Sequence, residues 1–359
     1  MDLSSILKIP PYSLNKNDKE KLLTSFLNKL SKFHFDNCAY YAKMIDGSNF
    51  DINKIEHFSK LPFLPVRLFK LFDLKSVKKE DIIKTMTSSG TSGQAVSKIY
   101  LDRETSSNQT KVLTKIVSSF TGNKRTPMII IDSDSVVKDR KLFSARGAGI
   151  LGFSMFGSKR MYALNEKMEL KINLINKFLE ENKGERIFIF GFTFIIYQHF
   201  YKELVRLNIK LDLSNSVMIH GGGWKKLINK SVSSELFRKN LKTVSGITSV
   251  HDYYGMVEQT GSIFMECKMG YLHAPVFSDI IIRRPHDFSV ADFGEKGIIQ
   301  VLSILPNSYP GHSLLTEDEG VLLGEDDCLC GKLGKYFKIV GRLKNAEIRG
   351  CSDTYEEKK

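Results

Sequence analysis

The sequence predicts an α/β protein whose largely parallel sheet is followed by a β-rich part. The first observation is an alternation of apolar strand-like runs with amphipathic helical patterns between residues 128 and 219, which is typical of α/β units around a parallel sheet. The second is a change after Gly255, where strand-like stretches dominate and are separated by glycines and acidic residues. We therefore expect helices layered on a parallel sheet first, and a β-rich part afterwards.

The individual elements follow from local patterns along the chain. Leucines and phenylalanines at helical spacing predict an amphipathic helix over residues 17–45, and Pro62 and Pro65 then break the pattern. Asp102 is suited to cap a second helix with apolar residues between 112 and 120. Further helices are predicted at residues 172–179 and 195–204, and strands at residues 128–131, 187–190, 217–219, 262–265, 276–282, 297–305 and 336–340.

The domain organisation predicted from the sequence is simple. The 359 residues are enough to bury a sizeable core, and we find no repeat, low-complexity segment or convincing linker before about residue 340. We predict one domain over residues 1–340, with a helical N-terminal part at residues 1–85. Residues 341–359 are predicted to form a hinge and a very short C-terminal appendage.

Composition restricts the partners and the location. The net charge of +13 comes mainly from lysines scattered along helix-like segments, which predicts a solvated basic surface and no nucleic-acid partner. The longest apolar stretch, residues 187–200, contains polar residues and glycine, so we expect no membrane span. The N-terminus lacks a signal-peptide pattern. We therefore expect a cytoplasmic protein. Whether it forms a homo-oligomer stays open.

The cysteines predict metal binding or thiol chemistry. Five cysteines in a cytosolic-looking protein argue against a disulfide framework. Cys328 and Cys330 lie in a turn-rich segment, and Cys267 lies six residues before His273. These four residues match a Cys₃His set for structural Zn²⁺, which would cross-link the β-rich half. Buried or unpaired thiols are the alternative.

One short stretch is rich in hydroxyls and glycine. It consists of Thr87, Ser88, Ser89, Gly90, Thr91, Ser92 and Gly93. Such a loop turns tightly, exposes backbone N–H groups to an anion and adds O–H donors around it. It predicts a site for a nucleotide triphosphate, and the alternative is a polar surface turn.

Four clusters, in this order, resemble the core motifs of adenylate-forming enzymes, which activate carboxylates with ATP. They are the stretch from Thr87 to Gly93, the glycine turn Gly221, Gly222 and Gly223, the run from Tyr254 and Gly255 to Glu258, and Asp318 with the later Arg342. A large N-terminal-type domain of this superfamily is the fold that the resemblance implies.

A narrower resemblance covers nearly the whole chain. His-Gly-Gly-Gly-Trp-Lys-Lys at 220–226, Ser-Tyr-Pro-Gly-His at 308–312, Asp-Asp-Cys-Leu-Cys-Gly at 326–331 and the run of residues 341–352 resemble the acyl-protein synthetases. That family includes the synthetase component of the bacterial luminescence fatty acid reductase. The resemblance implies an ATP-dependent ligase that adenylates a fatty acid, forms a thioester on its own cysteine and passes the acyl group to a reductase or transferase partner.

The resemblance also implies roles for the residues of these motifs. The hydroxyl loop would donate to phosphate oxygens, the glycine turn would lie against adenine, and Asp318 with Arg342 would hold the ribose. Glu258 would bind Mg²⁺ through a hard oxygen ligand, since attack on the α-phosphate needs cationic and N–H stabilisation. The alternatives are an exposed carboxylate at Glu258, a strand-ending loop at residues 221–223 and a solvated acidic turn at residues 317–319.

Cys351 is the predicted acyl acceptor. Thioester formation needs a thiolate, and the nearby Lys344 and Arg349 would lower the pKa of this thiol if they approach it. An incidental cysteine is the alternative. Few residues of the sequence follow Cys351, so the lysine that most adenylate-forming enzymes carry in a C-terminal domain has no match here. We predict Lys98 as the substitute, with Lys225, Lys344 or a partner protein as alternatives.

Two other functions fit the same residues, and nucleic-acid binding, which the positive charge alone would allow, is a third alternative. An acyl- or aryl-CoA ligase would hand the adenylate to a soluble thiol. A nucleotide-binding assembly subunit would bind ATP without catalysis.

Overall fold

The computed structural model describes residues 3–48, 50–88, 95–138, 145–224 and 231–343. These residues form two compact units. We call Val117–Tyr254 the central unit, and the described residues before Val117 and after Tyr254 the flanking unit. The predicted domain over residues 1–340 and the tail at 341–359 stay predictions.

The N-terminal elements are mainly helical. They are α1 (Lys16–Asn37), α2 (Ala39–Gly47), β1 (Leu64–Pro65), α3 (Leu68–Leu71), β2 (Lys84–Thr87), β3 (Lys98–Leu101) and α4 (Arg103–Thr121). The side chain of Asn15 caps α1 by accepting from the backbone N–H of Asp18 at 3.0 Å. The predicted helix over residues 17–45 is interrupted at Cys38, whose backbone is extended. Asp102 caps α4, as predicted, because it accepts from the N–H of Thr105 at 2.7 Å.

The central unit is a parallel sheet with helical connections. Its elements are β4 (Thr126–Ser133), α5 (Ser135–Lys138), α6 (Ala145–Ser154), β5 (Gly157–Leu164), α7 (Ile172–Glu181), β6 (Ile187–Phe192), α8 (Thr193–Ile195), a π-helical turn (Ile196–Tyr201), α9 (Lys202–Arg206), β7 (Ser216–Gly221), α10 (Ser234–Ser245) and β8 (Ser249–Tyr254). The strand order is β8-β7-β6-β4-β5, and every pair is parallel. Every residue of β6 and β7 is buried, as expected of strands read as continuous apolar runs. The predicted parallel α/β part is confirmed.

The flanking unit carries the antiparallel strands. They are β9 (Phe264–Glu266), β10 (Leu272–His273), β11 (Ser278–Arg283), β12 (Lys296–Ser303), β13 (Ser313–Glu325) and β14 (Lys335–Arg342). Their order is β11-β12-β13-β14-β10-β9, all pairs are antiparallel, and β1 adds to β13 in parallel. Strands β2 and β3 form a separate hairpin. The predicted β-rich part after Gly255 is confirmed.

The sequence interpretation did not include β13, the longest strand. It contains residues 317–319, which the alternative interpretation read as a solvated acidic turn, and that alternative is wrong. The strand accommodates these residues and two glycines through irregular register with β12 and β14.

A buried pair of histidines ties α1 to the connection between β12 and β13. The rings of His34 and His312 stack with centroids 4.9 Å apart. Nε2 of His312 lies 2.8 Å from the hydroxyl of Ser31, and Nε2 of His34 lies 3.0 Å from the carbonyl of Pro306. Burial lowers the pKa of His34 to about 3 and holds that of His312 well below its usual value. Both rings are therefore neutral at pH 7, and they fix the segment that contains Tyr309 and Gly311.

Across the helices that the structure describes, none combines the length and apolar character needed to cross a bilayer.

Candidate functional site

The hydroxyl-rich loop begins at the open end of the β2–β3 hairpin. Thr87 pairs with Lys98, and Ser88 and Ser97 close the base, with Ser88 N–H donating to the carbonyl of Ser97 at 3.1 Å and Ser97 N–H donating to Oγ of Ser88 at 2.9 Å. Thr87 and Ser88 are the described members of the predicted loop. Ser89, Gly90, Thr91, Ser92 and Gly93 lie outside the described residues. The hairpin thus places Ser88 and Ser97 side by side.

Glu258 is buried in a 3₁₀ turn, Val257–Gln259, so the alternative of an exposed carboxylate is wrong. The amide of Gln259 donates to the carbonyls of Val301 (3.2 Å) and Gly311 (2.8 Å). Gly311 is packed so closely that a Cβ there would lie 2.9 Å from the carbonyl oxygen of Glu258. The Ser-Tyr-Pro-Gly-His segment therefore holds this turn in place.

Two neighbours define the surroundings of Glu258. The buried hydroxyl of Tyr309 accepts from the amide of Gln109 at 3.3 Å, and burial first, then the charge of Glu258, raises the pKa of this phenol. The hydroxyl of Thr260 lies 3.9 Å from Sδ of Met86 in β2. The turn that contains Glu258 is therefore a neighbour of the strand that leads into the hydroxyl loop. Sequence interpretation missed Gln109, for which the α4 pattern gives no signal.

Asp318 and Arg342 are brought together, as their predicted common role requires. They are register partners on β13 and β14, and Nε of Arg342 lies 3.0 Å from Oδ1 of Asp318. A second nitrogen of Arg342 lies 3.3 Å from Glu317. The hydroxyl of Thr316 accepts from the N–H of Asp318 at 3.1 Å. The aspartate is thus fixed by both its backbone and its side chain.

In the central unit, the glycine turn follows β7 at its carboxyl end. A Cβ at Gly221 would lie 2.5 Å from the ring of Tyr253, and one at Gly222 would lie 2.7 Å from that of Phe192. Gly222 and Gly223 have φ values of 88° and 58°, a region that favours glycine. The rings of Tyr253 and Phe192 therefore pack directly against the backbone of the glycine turn.

Further polar side chains stand at the carboxyl ends of the same strands, where open parallel sheets bind ligands. Nδ1 of His220 lies 2.9 Å from the hydroxyl of Thr193 and 3.7 Å from Asp252. Burial lowers the pKa of His220 to about 3, so the ring is neutral. Its buried Nε2 has no hydrogen-bond partner within the described parts of the chain.

A buried ion pair lies at the end of β4. Nε of Arg146 in α6 lies 2.7 Å from Oδ2 of Asp132, and a second guanidinium nitrogen contacts Oδ1. Both side chains are almost fully buried. Asp132 directly follows an apolar run, which is a sequence signal, but nothing in the sequence indicates Arg146 as its partner.

The remaining predicted residues are distributed as follows. Tyr254 ends β8, and Gly255 follows it. Lys98 has a half-exposed side chain whose Nζ lies 3.7 Å from Asp73. Cys351, Lys225 and Lys344 lie outside the described residues.

The four predicted metal ligands do come together in the flanking unit. One ligand atom each of Cys267, His273, Cys328 and Cys330 lies within 4.8 Å of all the others. We refer to these residues as the Cys–His cluster.

Solved structures define the class of the fold. An open conformation of 2-hydroxyisobutyryl-CoA ligase, in complex with 2-HIB-AMP and CoA, matches with a TM-score of 0.71 and 14% identity over 93% of this chain and 77% of that chain. The same ligase in the thioesterification state gives a TM-score of 0.71 at 12% identity, over 93% and 70% of the two chains. The chain therefore has the fold of adenylate-forming ligases, as predicted.

The family is narrower than this class. The model of the acyl-protein synthetases, LuxE, matches residues 2–359, and the chain belongs to this family. A long-chain-fatty-acid–luciferin-component ligase of Aliivibrio fischeri is 22% identical over 362 residues, 97% of this chain and 91% of the relative. That of Vibrio harveyi is 22% identical over 344 residues, 93% and 87% of the two chains.

Proposed function

We propose that the chain activates a fatty acid, or a related carboxylate, with ATP and transfers the acyl group to the thiol of Cys351. The match of the acyl-protein synthetase model to residues 2–359 carries this proposal. The name of the two relatives, which specifies a long-chain fatty acid, supports the substrate class.

In the first step a carboxylate oxygen of the substrate attacks the α-phosphorus of ATP. The bond from that phosphorus to the bridging oxygen breaks, and pyrophosphate leaves. We propose that Asp318, oriented by Arg342 at 3.0 Å, accepts hydrogen bonds from the ribose hydroxyls. The hydroxyl loop would donate to the phosphates, and Lys98, which is paired with Thr87 at the base of that loop, would add a positive charge.

Glu258 is the residue proposed to hold Mg²⁺. Its carboxylate is buried and offers the hard oxygen ligand that this ion prefers. When bound, Mg²⁺ neutralises phosphate charge and so favours departure of pyrophosphate. The contacts of Gln259 and Gly311 fix the backbone of the turn that carries this carboxylate. Tyr254 and Gly255, with residues 221–223, are the proposed surroundings of adenine.

In the second step the thiolate of Cys351 attacks the acyl carbon, the bond to the AMP oxygen breaks, and AMP leaves. The product is a thioester on the protein, whose acyl group a reductase or transferase partner would accept. We also propose a cytoplasmic location, since ATP is available there, and we leave the oligomeric state open.

Pyrophosphate exchange tests the first step. Full-length protein with ATP, Mg²⁺ and fatty acids of increasing chain length should incorporate labelled pyrophosphate into ATP, with a maximum at one chain length. Binding of ATP without exchange for any carboxylate of the series would contradict the proposal and favour an assembly subunit.

Acyl transfer tests the second step. Labelled fatty acid should give a hydroxylamine-sensitive label on the denatured wild-type protein and on Cys38→Ser, a control at a buried cysteine of the flanking unit. The label should be absent from Cys351→Ser, which should keep its exchange activity. Undiminished labelling of Cys351→Ser would exclude this acceptor. Consumption of the acyl-adenylate only after coenzyme A is added would favour a CoA ligase.

A further inference from the structure

The Cys–His cluster lies where two turns of the flanking unit meet. Cys267 directly follows β9, and His273 ends β10. Cys328 and Cys330 lie in the turn between β13 and β14. Because β10 pairs with β14, with His273 opposite Tyr336, the sheet itself brings the two turns together. In the sequence, by contrast, the members of one pair are 55 to 63 positions from those of the other.

The separations between the ligand atoms fit a tetrahedral metal site. With Zn–S bonds of about 2.3 Å and a Zn–N bond of about 2.1 Å, the ligand atoms of a tetrahedral site lie roughly 3.5–3.8 Å apart. In the cluster all four atoms lie within 4.8 Å of one another, and Nε2 of His273 lies 3.4 Å from Sγ of Cys330. Only small movements would be needed to surround one ion.

In both turns a backbone N–H donates to a sulfur of the cluster. The N–H of Met269 donates to Sγ of Cys267 at 3.3 Å, and the N–H of Lys332 donates to Sγ of Cys330 at 3.4 Å. In each case the donor lies two residues after the cysteine. The two turns are also alike, because the N–H groups of Gly270 and Gly331 donate to the carbonyls of Cys267 and Cys328, both at 2.9 Å. Such N–H···S contacts stabilise the negative sulfur, which in a buried site needs a cation.

The charges and the ligand types select the metal. Three thiolates, a neutral imidazole and a divalent ion carry a net charge of −1, and the ammonium groups of Lys332 and Lys19 are close enough to act on His273. Thiolate and imidazole are soft or intermediate ligands that favour Zn²⁺ over Mg²⁺ or Ca²⁺. Four protein ligands leave no open position, which is typical of a structural site and not of a catalytic one.

The cluster also contacts the N-terminal segment. The ring of Tyr12 lies edge-on to His273 with centroids 6.1 Å apart, and Nζ of Lys332 lies 4.5 Å above the Tyr12 ring. The carbonyl of Tyr12 accepts from the N–H of Leu333 at 3.1 Å, and that of Pro11 accepts from the N–H of Val276 at 2.7 Å. Anything that fixes the two turns therefore also fixes residues 11 and 12.

We propose that Cys267, His273, Cys328 and Cys330 bind one Zn²⁺ ion. The ion joins the β9–β10 turn to the β13–β14 turn and holds the N-terminal segment against both. Since β13 and β14 also carry Asp318 and Arg342, the metal stabilises the hairpin on which that pair stands.

Metal content and spectroscopy of the full chain test the proposal. Protein prepared without chelators should contain about one zinc per chain, and the Co²⁺-substituted protein should show thiolate charge-transfer bands with intense tetrahedral d–d bands. Cys330→Ser changes the least buried ligand and should weaken binding of both ions by more than about tenfold, since loss of a hydrogen-bond partner of a ligand already costs that much. Cys38→Ser, at a buried cysteine outside the cluster, should bind like wild type.

Hydrogen exchange supplies a local measurement. Removal of zinc should increase exchange at residues 10–13, 267–274 and 326–335 and leave the central unit unchanged. Wild-type protein that takes up neither Zn²⁺ nor Co²⁺ under reducing conditions, or Cys330→Ser with wild-type affinity, would overturn the proposal. The Co²⁺ spectrum is recorded on the wild-type protein, so it does not depend on the folding of a variant. Neither metal binding nor hydrogen exchange depends on acyl activation.

Discussion

The central and flanking units bury polar side chains for different purposes. In the central unit Asp132 and His220 lie at the carboxyl ends of parallel strands, the edge at which α/β sheets bind ligands. In the flanking unit His34 stacks on His312, and Lys19 donates to the carbonyl of Ala274 at 3.0 Å. These contacts join segments that are more than 250 residues apart. Burial of a polar group therefore does not by itself distinguish a residue at a ligand-binding edge from one that joins distant segments. The place of the residue in the fold is also needed.

The largest expected effect concerns the buried ion pair of the central unit. Arg146→Met leaves the Asp132 carboxylate buried without its partner, which should cost about 3–5 kcal/mol of unfolding free energy. Denaturant unfolding with a probe in the central unit measures it. Arg206→Met breaks an exposed pair with Glu203 and should cause no measurable change. A similarly small loss for Arg146→Met would mean that this pair contributes no more than a surface contact.

The next effect separates two neighbouring carboxylates of β13. Asp318→Asn should raise the KM for ATP in pyrophosphate exchange by about 10–100-fold, the range expected when charge-assisted hydrogen bonds are lost. Glu319→Gln is the control, because Glu319 contacts Lys296 at 2.9 Å and has no proposed substrate contact. Equal KM values for the two variants would remove Asp318 from the nucleotide site.

A third effect is a dependence of stability on pH. The folded-state pKa of His34 is lowered to about 3 by burial, and that of His312 is lowered too, whereas an unfolded histidine titrates near about 6.5. The unfolded state therefore binds more protons below about pH 6.5, and stability falls as the pH is lowered from there towards 3. Each of these histidines should contribute on the order of 1 kcal/mol per pH unit in this window.

Variants make this test specific to the flanking unit. His34→Gln with His312→Gln should flatten the decrease in unfolding free energy between pH 6.5 and 5, even if it lowers stability at pH 7. His286→Gln, at an exposed histidine, should leave the slope as it is in wild type. An unchanged slope in the double variant would show that the stacked pair is not the source of acid sensitivity.

Local patterns predicted much of the fold. The apolar runs of β4, β6 and β7, the cap at Asp102 and the strand-rich region after Gly255 were all readable, since period and capping are properties of neighbouring residues. The pattern analysis did not include α10, although Ser233 as N-cap and Gly246 at φ 70° give it both end signals. It also missed β13, because acidic residues and glycines in a bulged strand look like a turn.

The candidate site was only partly predictable, because local patterns do not show which distant segments come together. The order of the motifs by itself indicated the family and the candidate pair Asp318 and Arg342, and the positions of the cysteines and His273 indicated the four candidate metal ligands, because side-chain chemistry and spacing are properties of the sequence. Only the tertiary structure decided that Tyr309 and Gln109 stand beside the turn of Glu258, that Arg146 neutralises Asp132, and that two turns 61 residues apart, at Cys267 and Cys328, meet in one cluster. These contacts depend on strand pairing and packing between distant segments, which no local pattern encodes.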